Sequence, residues 1–392
     1  MLTAPPRSDL DLYTEDAIVL PYENYRTLRD IGPAVWLDRH EVWAVARYRD
    51  VHTVLQDHRT FSSGSGVALN DRTNEAMRGT TLASDPPHHD RFRGLVNRPL
   101  TPKALAKHDA LFHRLADELV DRLTGAGTFD TVTDFAAVFP LTVVPDLLGW
   151  PQEGRANFLP WSCASFNTSG PLNERALADL PAMGAMAEYI NTTVYSGRLR
   201  PGSWGADLVA AAEAAQVERH RIGALVGAYL APSVDTTVST LSSALWLLGS
   251  HPEQWQAIRH DNSLIPNAIN EIIRYETPIR AFTRLVTRDY ELGGTSLPAG
   301  CRVLLLYASA NRDERKWDRP DVFDVTRPNR KDQLGFGHGI HSCVGQGLAR
   351  LEATALLTAL AKRVREIGVG TPTWRINNTM RAIASLPATL SI

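Results

Sequence analysis

Cysteine is scarce in this chain: Cys163, Cys301 and Cys343 are the only three in 392 residues, and they lie far apart. That scarcity argues against a disulfide framework and predicts a reducing, cytoplasmic setting. No Cys-x-x-Cys pair occurs; His341 and Cys343 would supply half of a zinc site, but a second ligand pair is missing. An excess of either charge is also lacking. With 41 basic and 43 acidic residues the formal net charge is −2, so nothing global favours nucleic acid or an anionic membrane surface. No apolar run approaches the roughly 18 uninterrupted residues of a membrane span. The leading Met1-Leu2-Thr3-Ala4-Pro5-Pro6 has no apolar signal core and is followed by acids. Internal repeats and low-complexity tracts are absent as well.

What remains is a globular composition, 44% hydrophobic and 21% charged, with material for a sizeable core. Ala34–Ala46 reads as two short strands around the turn Asp38-Arg39-His40. From Tyr48 to Tyr275 the pattern is mostly helical, interrupted by two expected long loops at Ser62–Pro87 and Phe158–Pro171. Val217–Ser250 is the longest apolar helical pattern; as one helix it would run roughly 50 Å and be buried on most sides. Arg284–Ser309 reads as strands, Val344–Arg365 as an amphipathic helix, and Trp374–Ile392 as short strands. The expected fold class is mainly α with a smaller β region, wrapped around a cofactor.

Three constellations carry chemistry. The first is Phe336-Gly337-His338-Gly339-Ile340-His341-Ser342-Cys343-Val344-Gly345. A cysteine between close glycines, just ahead of a helix, is placed to become a thiolate on a metal, because helix N-terminal amides and dipole favour the anion. Gly337, Gly339 and Gly345 allow sharp turns and a close approach to a flat group. The second is Glu271-Ile272-Ile273-Arg274, where acid and guanidinium share a helix face at i, i+3. The third is Asp235-Thr236 within an apolar helix, where an acid is costly unless hydrogen-bonded or wet. Local bonding to the helix backbone is the plain alternative for that pair.

With Leu348-Ala349-Arg350 following the cysteine, the chain resembles the cytochrome P450 superfamily over nearly its whole length. The resemblance implies one catalytic domain over 1–392 with the cytochrome P450 fold. It implies haem b (iron protoporphyrin IX) held by the Cys343 thiolate, which favours O–O cleavage, with Phe336 shielding the sulfur. Glu271 and Arg274 would form a structural lock with Arg327. His89, Arg93, Arg284 and His341 would hold the haem propionates. Asp235 and Thr236 would be the acid–alcohol pair that delivers protons during oxygen activation. The family's small residue and glycine before the acid are replaced by Pro232 and Ser233. Proline there frees the carbonyl of Ala228, either fixing an oxygen groove or making a kink without a catalytic role. No nicotinamide or flavin motif occurs. The implied partners are therefore O2 and a separate ferredoxin or flavodoxin-like donor with its NAD(P)H-dependent reductase, docking near Arg91 and Arg98.

Thr27–Pro33, Phe166–Glu174 and Ala308–Asp313 resemble a narrower group, bacterial cytochrome P450s that demethylate para-methoxybenzoates. That resemblance places Arg78, Val67, Leu69, Phe166, Ser169, Leu230, Ile279 and Phe282 around a small aromatic substrate, with Thr80 or Thr81 as a hydroxyl partner. The group's arginine and serine in the central helix fall on Gly227 and Ala228. Loss of those polar groups weakens benzoate binding or points to an alkyl methoxyphenol. The expected reaction is O-demethylation to a phenol and formaldehyde. The alternatives are hydroxylation of a terpene or other small apolar skeleton, a peroxide-using haem enzyme, and a non-catalytic haem sensor or carrier.

Overall fold

The computed structural model describes residues 5–328 and 330–392; the first four residues, read above as part of a segment without a signal core, lie outside them. A mainly helical body packs against a smaller, strand-rich region. In that region six strands form a mixed sheet. Val35–Leu37 and Val42–Val45 pair antiparallel, as the turn between them requires. Val42–Val45 then runs parallel to Arg302–Leu306, which pairs antiparallel with Ala281–Val286. The register places Phe282 opposite Leu305 and Arg284 opposite Val303, so Phe282 and Arg284 project from one face of their strand.

The helical body is organised by Ala231–Ser250, whose Val234, Val238, Leu241, Leu245 and Leu248 are buried in the main core. Phe158–Asn167 crosses beside it, and Gln346–Arg363 lies against Asp109–Thr124. Thr131–Leu148 is long and apolar enough to cross a membrane, yet 61% of it is buried and it packs against the central helix. Its hydropathy is that of a core helix.

Two expectations are corrected. Val217–Ser250 is not continuous: Arg219–Gly227 and Ala231–Ser250 are separate helices. Between them the chain tightens, with Tyr229 N–H on Val226 O at 3.1 Å and Leu230 N–H on Gly227 O at 2.9 Å. Pro232 has no N–H to return to Ala228, so a straight ladder cannot pass it, and proline sits instead in the first turn of the second helix. The expected loop at Phe158–Pro171 is mostly helix. Phe158, Trp161 and Ala164 recur at helical spacing and bury one face, while Thr168 and Ser169 hydroxyls donate to the Ala164 and Ser165 carbonyls, both at 2.9 Å. Ser62–Pro87 carries a short helix, Asp71–Ala76, capped by the Asn70 side chain.

Candidate functional site

A cavity of about 260 Å³ opens between the central helix, the strand Ala281–Val286 and the cysteine loop. Its floor is the loop. Gly337 takes φ +68°, a conformation that suits glycine, and the reversal brings the Cys343 amide onto Phe336 O at 2.7 Å. The ring of Phe336 lines the cavity, and the Arg350 guanidinium lies 4.8 Å from its centroid. Gly345 has an ordinary φ of −81°, so the turn does not require a glycine there, contrary to the sequence reading. Burial raises the Cys343 thiol pKa. The amides of Gly345 and Gln346 and the charges of Arg93 and Arg350 oppose that rise without cancelling it.

One edge of the cavity gathers the residues expected to hold propionates. His89 and His341 meet edge to face with ring centroids 4.5 Å apart. Arg93 and Arg284 both line the cavity; Arg93 donates to Ser342 O at 2.6 Å and Arg284 to Thr283 O at 2.7 Å. The Nε2 atoms of His89 and His341 are buried without a hydrogen-bond partner. Burial, reinforced by Arg284, His89, Arg93 and His58, pushes His341 down to about 3. An edge with two guanidiniums and two unpartnered imidazole nitrogens fits a pair of carboxylates.

The roof is the broken helix. Pro232, Ser233, Thr236, Thr237 and Thr240 line the cavity. Ser233 Oγ donates to the Tyr229 and Leu230 carbonyls, and Thr236 Oγ1 donates to Pro232 O at 2.7 Å. Asp235 faces away from the cavity. It is fully buried and paired with Arg375 of the strand Thr373–Arg375. Burial raises its pKa and Arg375 pulls the other way. Ser162, from Phe158–Asn167, donates its hydroxyl to Ala231 O and accepts from the Asp235 amide at 3.2 Å. One side chain thus spans a single step of the helix ladder, a recognised cause of bending. Ser162→Ala is expected to cost about 1 kcal/mol in denaturant titration and to speed hydrogen exchange at the Asp235 amide.

Of the residues expected around a substrate, Phe166, Ile279 and Phe282 line this cavity. Thr81 lines it too, its hydroxyl buried and unpartnered. Val67, Leu69 and Ser169 border a smaller pocket behind Phe282. Leu230 is 1% exposed within the main core and is not on the cavity wall. Arg78 requires correction: its side chain is 70% exposed and pairs with Glu75 at 2.9 Å, one helical turn away, so it points to solvent. A Cβ at Gly227 would meet Ile190 at 3.1 Å, so that position faces the core, while Ala228 lines the cavity.

Glu271 and Arg274 form a two-point pair, both contacts at 2.8 Å and both side chains fully buried. Arg327 joins through Nε to Glu271 Oε1 at 3.1 Å. Three residues escaped the sequence reading. Arg375 and Ser162 carry no local signal. Glu352, buried on the cavity wall with its pKa raised by burial, could have been found as an acid on the apolar face of the helix after Cys343.

The family model described as Cytochrome P450 matches residues 206–380. The chain is 38% identical to "Cytochrome p450 CYP199A2" of Rhodopseudomonas palustris, covering 98% of this chain and 95% of that protein. It is 32% identical to "Cytochrome P450 monooxygenase PikC" of Streptomyces venezuelae, over 98% and 94%. Among solved structures, cytochrome P450 CREJ in complex with (4-ethylphenyl) dihydrogen phosphate superposes with a TM-score of 0.87 at 26% identity, covering 98% of this chain and 99% of that one.

Proposed function

The chain belongs to the cytochrome P450 family and is a haem-thiolate monooxygenase; from that premise we propose that it O-demethylates a methoxylated aromatic, a para-substituted methoxybenzoate or an alkyl methoxyphenol. The observation that carries this reading is the cavity wall: Phe166 and Phe282 give aromatic surfaces, Ile279 an aliphatic one, and Thr81 adds one unpartnered hydroxyl. The resemblance of three segments to the para-methoxybenzoate group supports it.

Haem b with an axial cysteine thiolate is the family's cofactor, and the site fits it: Cys343 is the cysteine on the cavity floor, and the unpartnered Nε2 atoms of His89 and His341 stand with Arg93 and Arg284 along one edge. When bound, that group supplies oxygen activation driven by two electrons. The chain's own residues do the rest. Cys343 would hold the iron, with the Arg350 guanidinium packed on the Phe336 ring that lines the same cavity. Thr236 presents a hydroxyl to the cavity. Asp235 holds an ionisable oxygen against Arg375, so it can exchange protons with the cavity only when that pair loosens. The apolar wall excludes water from the methyl group being oxidised.

In balance, the methoxy arene, O2, NAD(P)H and one proton give the phenol, formaldehyde, water and NAD(P)+. One oxygen atom enters the methyl carbon, and the hemiacetal then collapses. The electrons are proposed to come from a separate ferredoxin or flavodoxin-like protein docking on the cysteine side, where Arg91 and Arg98 are exposed. A cytoplasmic location and action of the whole length as one catalytic domain belong to the same proposal.

Titration of the holoenzyme with 4-methoxybenzoate and with a 4-alkyl-2-methoxyphenol tests the reading. At least one is expected to shift the haem spin state and to release one formaldehyde per phenol formed. No response to either, with a response to a terpene, would replace demethylation by hydroxylation of an apolar skeleton.

A further inference from the structure

The buried arginines fall into two classes. Arg29 meets Glu314, Arg274 and Arg327 meet Glu271, Arg312 meets Asp321, and Arg381 meets Glu276. Arg284 and Arg280 meet no carboxylate among the described residues. Arg284 belongs to the edge assigned to the haem carboxylates. Arg280 has no such assignment. It is 3% exposed, and only neutral groups hold it. Nη2 donates to Asn378 O at 2.7 Å; Nη1 reaches Leu12 O at 3.4 Å and the Tyr25 hydroxyl at 3.5 Å. The Tyr13 ring lies 5.8 Å away. Its Nε is buried with no hydrogen-bond partner. A buried cation without counter-charge is expensive, and an unmade donor adds to the cost.

The position explains what would relieve it. Arg280 borders a small pocket of about 10 Å³, room for one water, together with Val67, Leu69, Ser169 and Phe282. Phe282, half-buried, also lines the large cavity over Cys343. That ring thus borders both spaces. The pocket therefore offers a cation at its end and apolar sides along the approach from the cavity.

We propose that Arg280 anchors an anionic group of the substrate, a carboxylate carried on its aromatic ring or ring side chain, which enters when Phe282 turns aside. The inference rests on the aromatic reading above and specifies its substrate as an aryl acid. The carboxylate takes the unpartnered Nε and one Nη as a two-point pair. The carboxylate takes the place of the one water, and the ring stays in the large cavity beside Phe166 and Ile279. The anchor replaces the polar groups missing at Gly227 and Ala228 and the solvent-facing Arg78.

The test compares 4-methoxybenzoate with 4-methoxybenzamide on the holoenzyme, by spin-state titration and by calorimetry for binding that leaves the spin state unchanged. The wild type is expected to bind the carboxylate at least about tenfold more tightly than the amide. Arg280→Met should lose that preference while keeping its affinity for the amide and its thiolate signature, and Arg280→Lys should keep part of it. Phe282→Ala, which opens the pocket, should increase the preference and decides the matter if Arg280→Met does not fold. A wild type that binds neither ligand or prefers neither, or an unchanged ratio in the variants, overturns the anchor. Formaldehyde release separates the two readings. A preference lost in Arg280→Met, with no formaldehyde from either ligand in the wild type, removes demethylation and keeps the anchor. Formaldehyde with an unchanged ratio removes the anchor and keeps demethylation.

Discussion

Replacing Cys343 by alanine is expected to abolish monooxygenase turnover and the reduced-CO band of a thiolate-ligated haem, while the protein still retains part of its haem. The loss should be complete because among the described residues no other cysteine lines the cavity. Cys301 packs at the edge of the sheet core, and Cys163 contacts Asn377. Residual haem binding is expected because His89, Arg93 and Arg284 come from two segments outside the cysteine loop and supply polar groups along with His341. Absorbance of the reduced, CO-treated protein and haem content after gel filtration read the two effects separately. A Cys343→Ala protein with the thiolate band intact would refute the assignment of the ligand.

Glu271→Ala should be the most destabilising single change outside the cavity. One carboxylate accepts from Arg274 Nε and Nη2, from Arg327 Nε and from the Asp324 amide at 3.1 Å. Removing it leaves two buried guanidiniums facing each other without the carboxylate, although backbone carbonyls such as Asn311 O at 2.8 Å and Val322 O at 2.7 Å remain. Breaking a buried pair from one side costs about 3–5 kcal/mol. Against a usual total of about 5–15 kcal/mol, that is a large share, so the denaturation midpoint should fall steeply and haem should be lost at lower denaturant. Glu271→Gln keeps the acceptor oxygen and loses the charge, and is expected to fall between. Equal midpoints for the alanine variant and the wild type would mean the triad contributes no net stability.

The cysteine loop and the Glu271–Arg274 pair were legible in the sequence because each lies within a few consecutive residues, where spacing alone sets which side chains meet. The central helix was legible as apolar but not as broken. The break needs both Pro232, which is local, and the Ser162 hydroxyl spanning Ala231 and Asp235, which comes from another helix. Arg78 was misplaced because one turn of helix, Asp71–Ala76, and an ion pair with Glu75 aim it outward. Local pattern cannot fix the direction of a side chain in a segment read as loop.

The sequence by itself carried the thiol in a tight turn ahead of a helix and the arginines and histidines expected to stand near it. The tertiary structure alone set the partners of the buried charges. Asp235 meets Arg375 across 140 residues of chain. Arg280 is distinguished only by what does not surround it, because a missing counter-ion is a property of packed neighbours and leaves no trace in any stretch of sequence.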